Sequence, residues 1–173
     1  MNKIEATFRI VTPMFISGAD QSRAELRAPS IKGALRFWWR ALNWSRICRE
    51  SDDSQEAALK RLRDGESILF GDAGDSGQSK VFIRLKKNVA GNLGGNALLG
   101  NDVARKYLGY GLFQMGQHQE RTAIARGDFS IEMLLKKGAN AAQLERCLEA
   151  LGLLGGLGSR SRNGFGSVAL VSL

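Results

Sequence analysis

The sequence is poor in the residue types that build metal sites, disulfides and membrane spans. It has one histidine, two cysteines and two prolines in 173 residues. A single histidine, His118, cannot supply the two or three imidazoles of a usual catalytic zinc site. Cys48 and Cys147 lie far apart without CxxC spacing, so we interpret both as small buried hydrophobic residues in a reducing compartment. No run approaches the ~18 apolar residues of a membrane span, and no secretory signal pattern opens the chain. We therefore expect a cytoplasmic protein with no metal, no cofactor and no membrane partner.

Acidic residues are also fewer than basic ones. Seventeen Asp and Glu stand against 25 Lys and Arg, which gives a formal net charge of +8. Such a field attracts polyanions, so nucleic acid leads the list of partner classes. A basic surface can also serve solubility alone, and charge does not separate these two interpretations. The hydrophobic content of 43% is typical of one globular domain with its own core, or of two very small domains.

The hydrophobic periodicity predicts six main elements in the order strand, helix, strand, strand, helix, strand. We expect strands at residues 4–12, 80–87, 129–135 and after 166, and long helices at 31–50 and 139–156. This order predicts an α+β, ferredoxin-like (split βαβ, RRM-like) fold, with two main helices on one face of an antiparallel sheet.

The first long helix divides into two faces when its residues are spaced at about 100°. We expect Ser30 to cap it. The predicted core face comprises Ile31, Ala34, Leu35, Phe37, Trp38, Ala41, Leu42, Trp44 and Cys48. The predicted basic face comprises Lys32, Arg36, Trp39, Arg40, Asn43 and Arg46. On that face the cations could neutralise phosphates and Trp39 could stack on a base. A solvated charge stripe remains an equal alternative.

Other segments have weaker patterns. A shorter helix is expected within residues 54–66, ending at Gly65. The Gly- and Asn-rich residues 88–102 predict a long mobile loop insertion rather than a packed element. Residues 105–120 fit a helix and an irregular loop equally well. In the last helix, Leu144, Cys147, Leu148, Leu151 and Leu154 form an apolar stripe.

The carboxy-terminal glycine-rich loop, residues 155–166 (GGLGSRSRNGFG), is the most informative segment. Glycines let the backbone approach a ligand and adopt positive φ, and exposed N–H groups can face phosphate oxygens. Arg160 and Arg162 add charge and forked donors. The loop follows a helix and precedes a strand, the reverse of a dinucleotide fingerprint. A helix C-cap followed by an Asn163-Gly164 hairpin turn would explain some of the glycines, but the pattern favours phosphate binding.

Residues that could catalyse a reaction are few. Asp20 and Asp128 are single carboxylates without a paired companion, and His118 lies in a polar stretch. A ribonuclease could still use Asp20 or His118 beside a bound strand. Nothing in the sequence requires it, so we predict no catalytic residue.

With these segments identified, the chain resembles the RAMP superfamily of CRISPR systems. The likeness is greatest to the amino-terminal domain of the first RAMP subunit of type III-B (Cmr) effector complexes. It rests on residues 12–42, TPMFISGADQSRAELRAPSIKGALRFWWRAL, on GGLGSRSRNGFGSV, and more weakly on KYLGYG at 106–111. Family subunits of this kind usually carry two such domains. We expect residues 1–173 to be a single RAMP domain, with the second absent.

The resemblance implies a non-catalytic RNA-binding subunit that grips CRISPR RNA and its duplex with target RNA, alongside other Cmr-complex subunits. Carried over by motif, the RNA-binding residues of the first segment would be Asp20, Arg23, Arg27, Ser30, Lys32, Arg36 and Arg40, and those of the glycine-rich loop would be Ser159, Arg160, Ser161, Arg162 and Asn163. To these we add Trp39 from the basic helix face and Phe165 from the loop as predicted RNA-binding residues. Two alternatives stay open: an endoribonuclease that processes CRISPR RNA, and a scaffold whose basic helix docks on an acidic protein.

Overall fold

The computed structural model describes residues 2–51, 54–74, 77–113 and 120–173. The strands are β1 (Asn2–Ile10), β2 (Ala24–Glu25), β3 (Val81–Lys87), β4 (Ala90–Gly91), β5 (Leu93–Gly94), β6 (Thr122–Ala123), β7 (Gly127–Leu135) and β8 (Val168–Ser172). The helices are α1 (Ala28–Arg49), α2 (Gln55–Phe70), α3 (Gly95–Leu99), α4 (Val103–Leu108) and α5 (Ala141–Leu154). A short 3₁₀ turn spans Ser161–Asn163. No helix in these ranges is long and apolar enough to cross a bilayer.

The four longest strands form one antiparallel sheet. Their order is β3-β7-β1-β8, so the first strand of the chain lies inside the sheet. Phe8 in β1 lies opposite Phe129 in β7 and Leu170 in β8, and the two phenylalanine rings stack at 5.4 Å. Alternate residues of each strand point to the same side, so the period-two pattern produces one apolar face. The predicted antiparallel sheet of a mixed α and β domain is confirmed.

The opposite face of the sheet is polar and tied together by ion pairs. Glu132 in β7 is buried there and forms salt bridges with Lys3 and Arg84 on the two neighbouring strands. Hydrogen bonds from Lys3 and Lys86 lower the pKa of the exposed Glu5 to about 2. Arg9 and Asp128 form a further cross-strand pair at 3.0 Å. Pairs of opposite charge on facing strands stabilise the strand register.

Helices α1 and α5 cover the apolar face. The predicted stripe of α5 buries Leu144, Cys147, Leu148 and Leu151. Burial raises the pKa of the Cys147 thiol to about 12, which fits its interpretation as a core residue. Leu154 corrects the predicted stripe, since it is 77% exposed at the end of the helix.

The buried face of α1 differs from the predicted one. Its buried residues follow one another at intervals of four: Ile31, Leu35, Trp39, Asn43 and Ile47. Trp39, expected on the basic face, is 5% exposed, whereas Phe37, expected in the core, is 44% exposed. The indole Nε1 of Trp39 donates to Gln143 of α5 at 3.2 Å, so the ring lies between helices. The helix also begins at Ala28, without a side-chain cap from Ser30.

Helix α2 explains why α1 is oriented this way. It does not end at Gly65 but continues to Phe70, and its last two residues are buried. A Cβ atom at Gly65 would lie 2.9 Å from Cη2 of Trp39. This glycine therefore allows two helices to approach closely rather than terminating one of them. Beside this contact, Arg36 and Arg40 of α1 both donate to Oε1 of the buried Glu66, the latter over 2.7 Å.

The Gly- and Asn-rich segment is ordered, contrary to the prediction of a mobile loop. Residues 90–99 contain β4, β5 and α3, and Leu99 is buried beside Phe15, Leu112 and Ala123 in a second small core. A Cβ at Gly95 would lie 2.0 Å from the Leu112 carbonyl oxygen. The ambiguous segment, residues 105–120, starts inside the helix α4. His118 lies outside the described residues.

The contact between Gly65 and Trp39 can be tested with two glycine substitutions in helices. Alanine has a higher helix propensity than glycine, but a Cβ atom at position 65 would clash with the buried indole of Trp39. We expect Gly65→Ala to lower the free energy of unfolding by about 1 kcal/mol. Gly33→Ala in α1 is the matched control, because a Cβ there meets nothing within 4 Å. It should raise the free energy by about 0.5–1 kcal/mol. Urea denaturation measures both, and equal stabilisation would contradict the packing described.

The hydrogen bonds from Arg36 and Arg40 to Glu66 predict that the stability of the fold depends on pH. Burial alone raises the pKa of Glu66, but hydrogen bonds from Arg40 and Arg36 outweigh it and the net pKa is lowered from 4.5. A carboxylate whose pKa is lower in the folded state than in the unfolded state stabilises the fold above the unfolded-state pKa. That stabilisation is lost as the pH falls through the folded-state pKa. Glu66→Gln should therefore cost about 1–3 kcal/mol at pH 7, and less below pH ~4.5.

The control for this variant is Glu50→Gln, which removes the exposed partner of Arg46. An exposed i,i+4 pair contributes about 0.5 kcal/mol or less. Unfolding curves of both variants from pH 3 to pH 7 provide the comparison. If Glu66→Gln lowers the free energy of unfolding by the same amount from pH 3 to pH 7, the lowered pKa assigned to Glu66 is wrong.

Candidate nucleic-acid interface

The glycine-rich loop is closed at its base by its own backbone. Leu157 N donates to Gly166 O at 2.9 Å, and Gly156 pairs with Ser167. Gly166 N in turn donates to Pro13 O at 2.8 Å, which ties the base to the chain that follows β1. The loop therefore projects from the sheet at the junction of β1 and β8.

Two of the glycines are required by the loop's own packing. Gly158 has φ +90°, and a Cβ there would lie 2.4 Å from Phe15 O. Gly166 has φ +65°, and its Cβ would lie 2.0 Å from Leu157 O. Gly164 also has positive φ but faces open space. Packing within the loop therefore accounts for some of the glycines that the prediction assigned to phosphate binding, and Asn163 ends a 3₁₀ turn rather than starting a two-residue hairpin.

The tip of the loop docks on the segment after α4. Arg160 Nε donates to Tyr110 O at 2.9 Å, and Asn163 Nδ2 donates to Leu108 O at 3.0 Å. Arg160 has φ 58° and ψ 25°, and it is the described non-glycine residue with positive φ. This left-handed conformation turns the guanidinium toward residues 108–110. The KYLGYG segment and the glycine-rich loop are thus neighbours in space.

Arg162 joins the loop to α1. Its guanidinium lies 6.0 Å from the centre of the Phe37 ring, within range of a weak cation–π contact. Phe37, Trp38, Ser161 and Arg162 help to line a groove of about 500 Å³. Phe165, in contrast, packs edge-on against the buried Phe15 at 5.5 Å, which makes it an anchor of the loop.

The predicted cations differ in how far neighbouring acids neutralise them. Among the described residues, no carboxylate oxygen lies within 4.0 Å of Arg160 or Arg162, and both side chains are exposed. Arg36 and Arg40 share the Glu66 carboxylate. Partial burial, with repulsion from Arg36, lowers the pKa of Lys32. Among the described residues of the predicted site, the exposed cations with no carboxylate oxygen within 4.0 Å are therefore Arg160 and Arg162 on the loop and Arg23 and Arg27 before α1.

Several predicted site residues lie elsewhere. Trp39 is corrected from a stacking residue to a core residue, because α2 and α5 cover its ring. Asp20 and Arg23 line a separate depression with residues 88–90. The Asp20 carboxylate accepts from Ser22 Oγ and Ser22 N, which lowers its pKa and fixes the local turn. Ser30 lies in the first turn of α1, and Arg27 precedes that helix.

Sequence reasoning missed two aromatic residues beside the loop. Tyr107 in α4 and Tyr110 just after it are exposed next to Arg160 and Asn163. The signal available in the sequence was the spacing of two tyrosines among Lys106, Gly109 and Gly111, in a segment that fitted a helix only in part.

Comparison with known proteins gives consistent matches over most of the chain. A family model described as the RAMP superfamily matches residues 7–169. The chain is 32% identical over 154 residues to CRISPR system Cmr subunit Cmr1-1 of Pyrococcus furiosus, covering 85% of this chain and 41% of that protein. It is 32% identical over 82 residues to subunit Cmr1-2 of the same organism, covering 46% of this chain and 38% of that protein. The chain thus spans about two fifths of these relatives.

Two solved structures share its fold. The apo crystal structure of Cmr1 from Pyrococcus furiosus superposes with a TM-score of 0.67 at 22% identity, covering 99% of this chain and 50% of that one. A chain of a type III-B Cmr-beta complex bound to cognate target RNA gives 0.51 at 14% identity, covering 98% of this chain and 58% of that one. At these identities the superpositions establish the fold.

The packing of the glycine-rich loop predicts unequal effects at two of its glycines. Gly158→Ala should lower the free energy of unfolding by more than about 2 kcal/mol, because a backbone oxygen blocks the new Cβ and φ is positive. Gly164→Ala has a similar φ but open space around it, so its loss should be about 1 kcal/mol. Thermal and urea unfolding of both variants measures the difference. Equal losses would mean that the close approach to Phe15 is wrong.

Proposed function

Because this chain belongs to the RAMP superfamily, we propose that it is a non-catalytic RNA-binding subunit of a type III-B CRISPR ribonucleoprotein. Its partners are CRISPR RNA, target RNA and other Cmr-complex subunits, in the cytoplasm. The observation that carries the proposal is the rigid glycine-rich loop, which holds Arg160 and Arg162 exposed and clear of the described carboxylates. Two exposed guanidinium groups suit the phosphate groups of a sugar-phosphate chain.

The sheet order supports the finer fold assignment. In β3-β7-β1-β8, the two central strands are the first and third of the four long strands, and α1 and α5 lie on the apolar face. This arrangement is the one expected of a split βαβ, ferredoxin-like domain. We take residues 2–173 as one such RAMP domain, with β2, β4–β6 and α2–α4 as additions around it.

The remaining cations extend the basic surface along the chain. Lys32 is partly desolvated, and the binding of a phosphate would favour its charged form. Arg23 and Arg27 are exposed on the segment that leads into α1. Arg36 and Arg40 contribute less, because a phosphate would compete with Glu66 for them. We therefore place the main grip on the loop and a secondary contact at the start of α1.

A binding role fits the carboxylates better than catalysis does. Asp20 accepts two hydrogen bonds from Ser22, and its lowered pKa makes it a weak general base. Asp128 is held by Arg9 on the polar face of the sheet. Both acids have structural partners that account for their positions.

The test is a titration of fluorescent single-stranded RNA, of CRISPR-repeat and unrelated sequence, at several salt concentrations. We expect salt-sensitive binding with little sequence preference, because phosphate contacts release counterions. Arg160→Ala/Arg162→Ala should weaken binding at least about tenfold. It should also reduce the slope of log K against log salt by about 1.4, since each single-strand phosphate contact contributes about 0.7.

The matched control is Lys60→Ala/Arg63→Ala, which removes the same charge from the exposed side of α2. It should change the affinity far less than the loop variant. The same samples are run on a denaturing gel. Cleaved RNA would favour the endoribonuclease alternative, and an equal effect of both double variants would refute a specific grip by the loop.

A further inference from the structure

The two tyrosines beside the glycine-rich loop are the most exposed aromatic residues in the described part of the chain. Tyr107 is 82% exposed and Tyr110 is 58% exposed. Most of the other aromatic rings are buried or half-buried, and Phe37 at 44% exposure already contacts Arg162. Exposed apolar side chains that lie together mark interaction surfaces more often than single ones do. Packing among the described residues leaves both of these rings largely exposed.

The backbone that carries both rings is fixed on two sides. The loop holds the carbonyls of Leu108 and Tyr110 through Asn163 and Arg160. On the other side, a Cβ at Gly109 would lie 2.8 Å from Leu99 Cδ1, so this glycine seats the segment against the second small core. Asp102 caps the start of α4 by accepting from Arg105 N at 2.9 Å. The backbone that carries the rings is therefore held by contacts on both sides.

The charges around the rings are suited to a polyanion. Arg160 lies directly beside Tyr110 and has no described carboxylate within 4.0 Å. Lys106 precedes Tyr107 and lies 6.0 Å from the centre of the Phe113 ring rather than against an acid. Arg105 is partly offset by Asp102 at 4.0 Å. An exposed aromatic pair flanked by free cations favours a ligand with flat rings and negative charge over an acidic or apolar protein surface.

We propose that Tyr107 and Tyr110 are a stacking surface for unpaired bases of single-stranded RNA, whose phosphates are held by Arg160 and Arg162. This inference rests on the proposed function and adds base contacts to the phosphate grip. It assigns the stacking role, which sequence reasoning placed on Trp39, to residues about 70 positions further along the chain. Stacking tolerates any base, because every base presents a flat π-face.

The experiment compares a fluorescein-labelled ten-nucleotide RNA with an abasic ribose-phosphate strand of the same length. We expect Tyr107→Ala/Tyr110→Ala to weaken binding of the ordinary RNA by about tenfold or more, with the salt slope unchanged. Binding of the abasic strand should be weaker than that of RNA and equal for both proteins. Tyr107→Phe/Tyr110→Phe keeps the rings and should retain most of the affinity.

Leu153→Ala is the matched control, since it removes another strongly exposed apolar side chain, on α5, and should leave the affinity unchanged. Unfolding midpoints of all variants should match that of the wild type. If the wild-type chain binds neither strand, the proposed function itself fails. If it binds RNA and the alanine variant binds equally well, or the abasic strand binds as tightly as RNA, the stacking inference is wrong while the phosphate grip stands.

Discussion

The contact of Trp39 with Gly65 is the constraint on which the rest of the arrangement depends. The indole fills the space between α1, α2 and α5, and its Nε1 finds a partner in Gln143. Once this ring is buried, the helix can present only one set of residues to the sheet. Arg36 and Arg40 are then directed toward Glu66 of α2, and Phe37 is directed toward the glycine-rich loop. The distribution of positive charge over the molecule therefore follows from how Trp39 packs in the core.

The sheet and α5 could be predicted from the sequence because a single periodicity dominates each of them. In β7, Phe129, Ile131, Met133 and Leu135 recur at every second position and are all buried, so the period-two pattern identifies the face that packs against the helices. Helix α1 has large aromatic residues on both of its predicted faces, such as Trp39 among the cations, so periodicity does not decide which of them are buried. The choice is made by α2, whose length was underestimated because Gly65 resembles a helix stop. A glycine that permits close approach and a glycine that ends a helix look the same in a sequence.

The candidate site, too, could be predicted from the sequence only in part. Residue types and the glycine-rich composition were enough to identify the loop, because no other segment combines several glycines with free arginines. Its neighbours depend on contacts between residues 50 or more positions apart, such as Arg160 with Tyr110 and Asn163 with Leu108. The sequence also gave no indication that Glu66 would offset two of the predicted cations. The loss of free charge at Arg36 and Arg40 is a tertiary effect.

The left-handed backbone of Arg160 carries a consequence for any attempt to engineer this chain. A non-glycine residue in that region costs about 1–2 kcal/mol, and glycine or asparagine would occupy it with less strain. Selection for thermal stability alone would therefore tend to replace this arginine early, and would discard the fork that the loop displays. Consensus or stability-guided redesign needs position 160 held fixed if binding is to be kept.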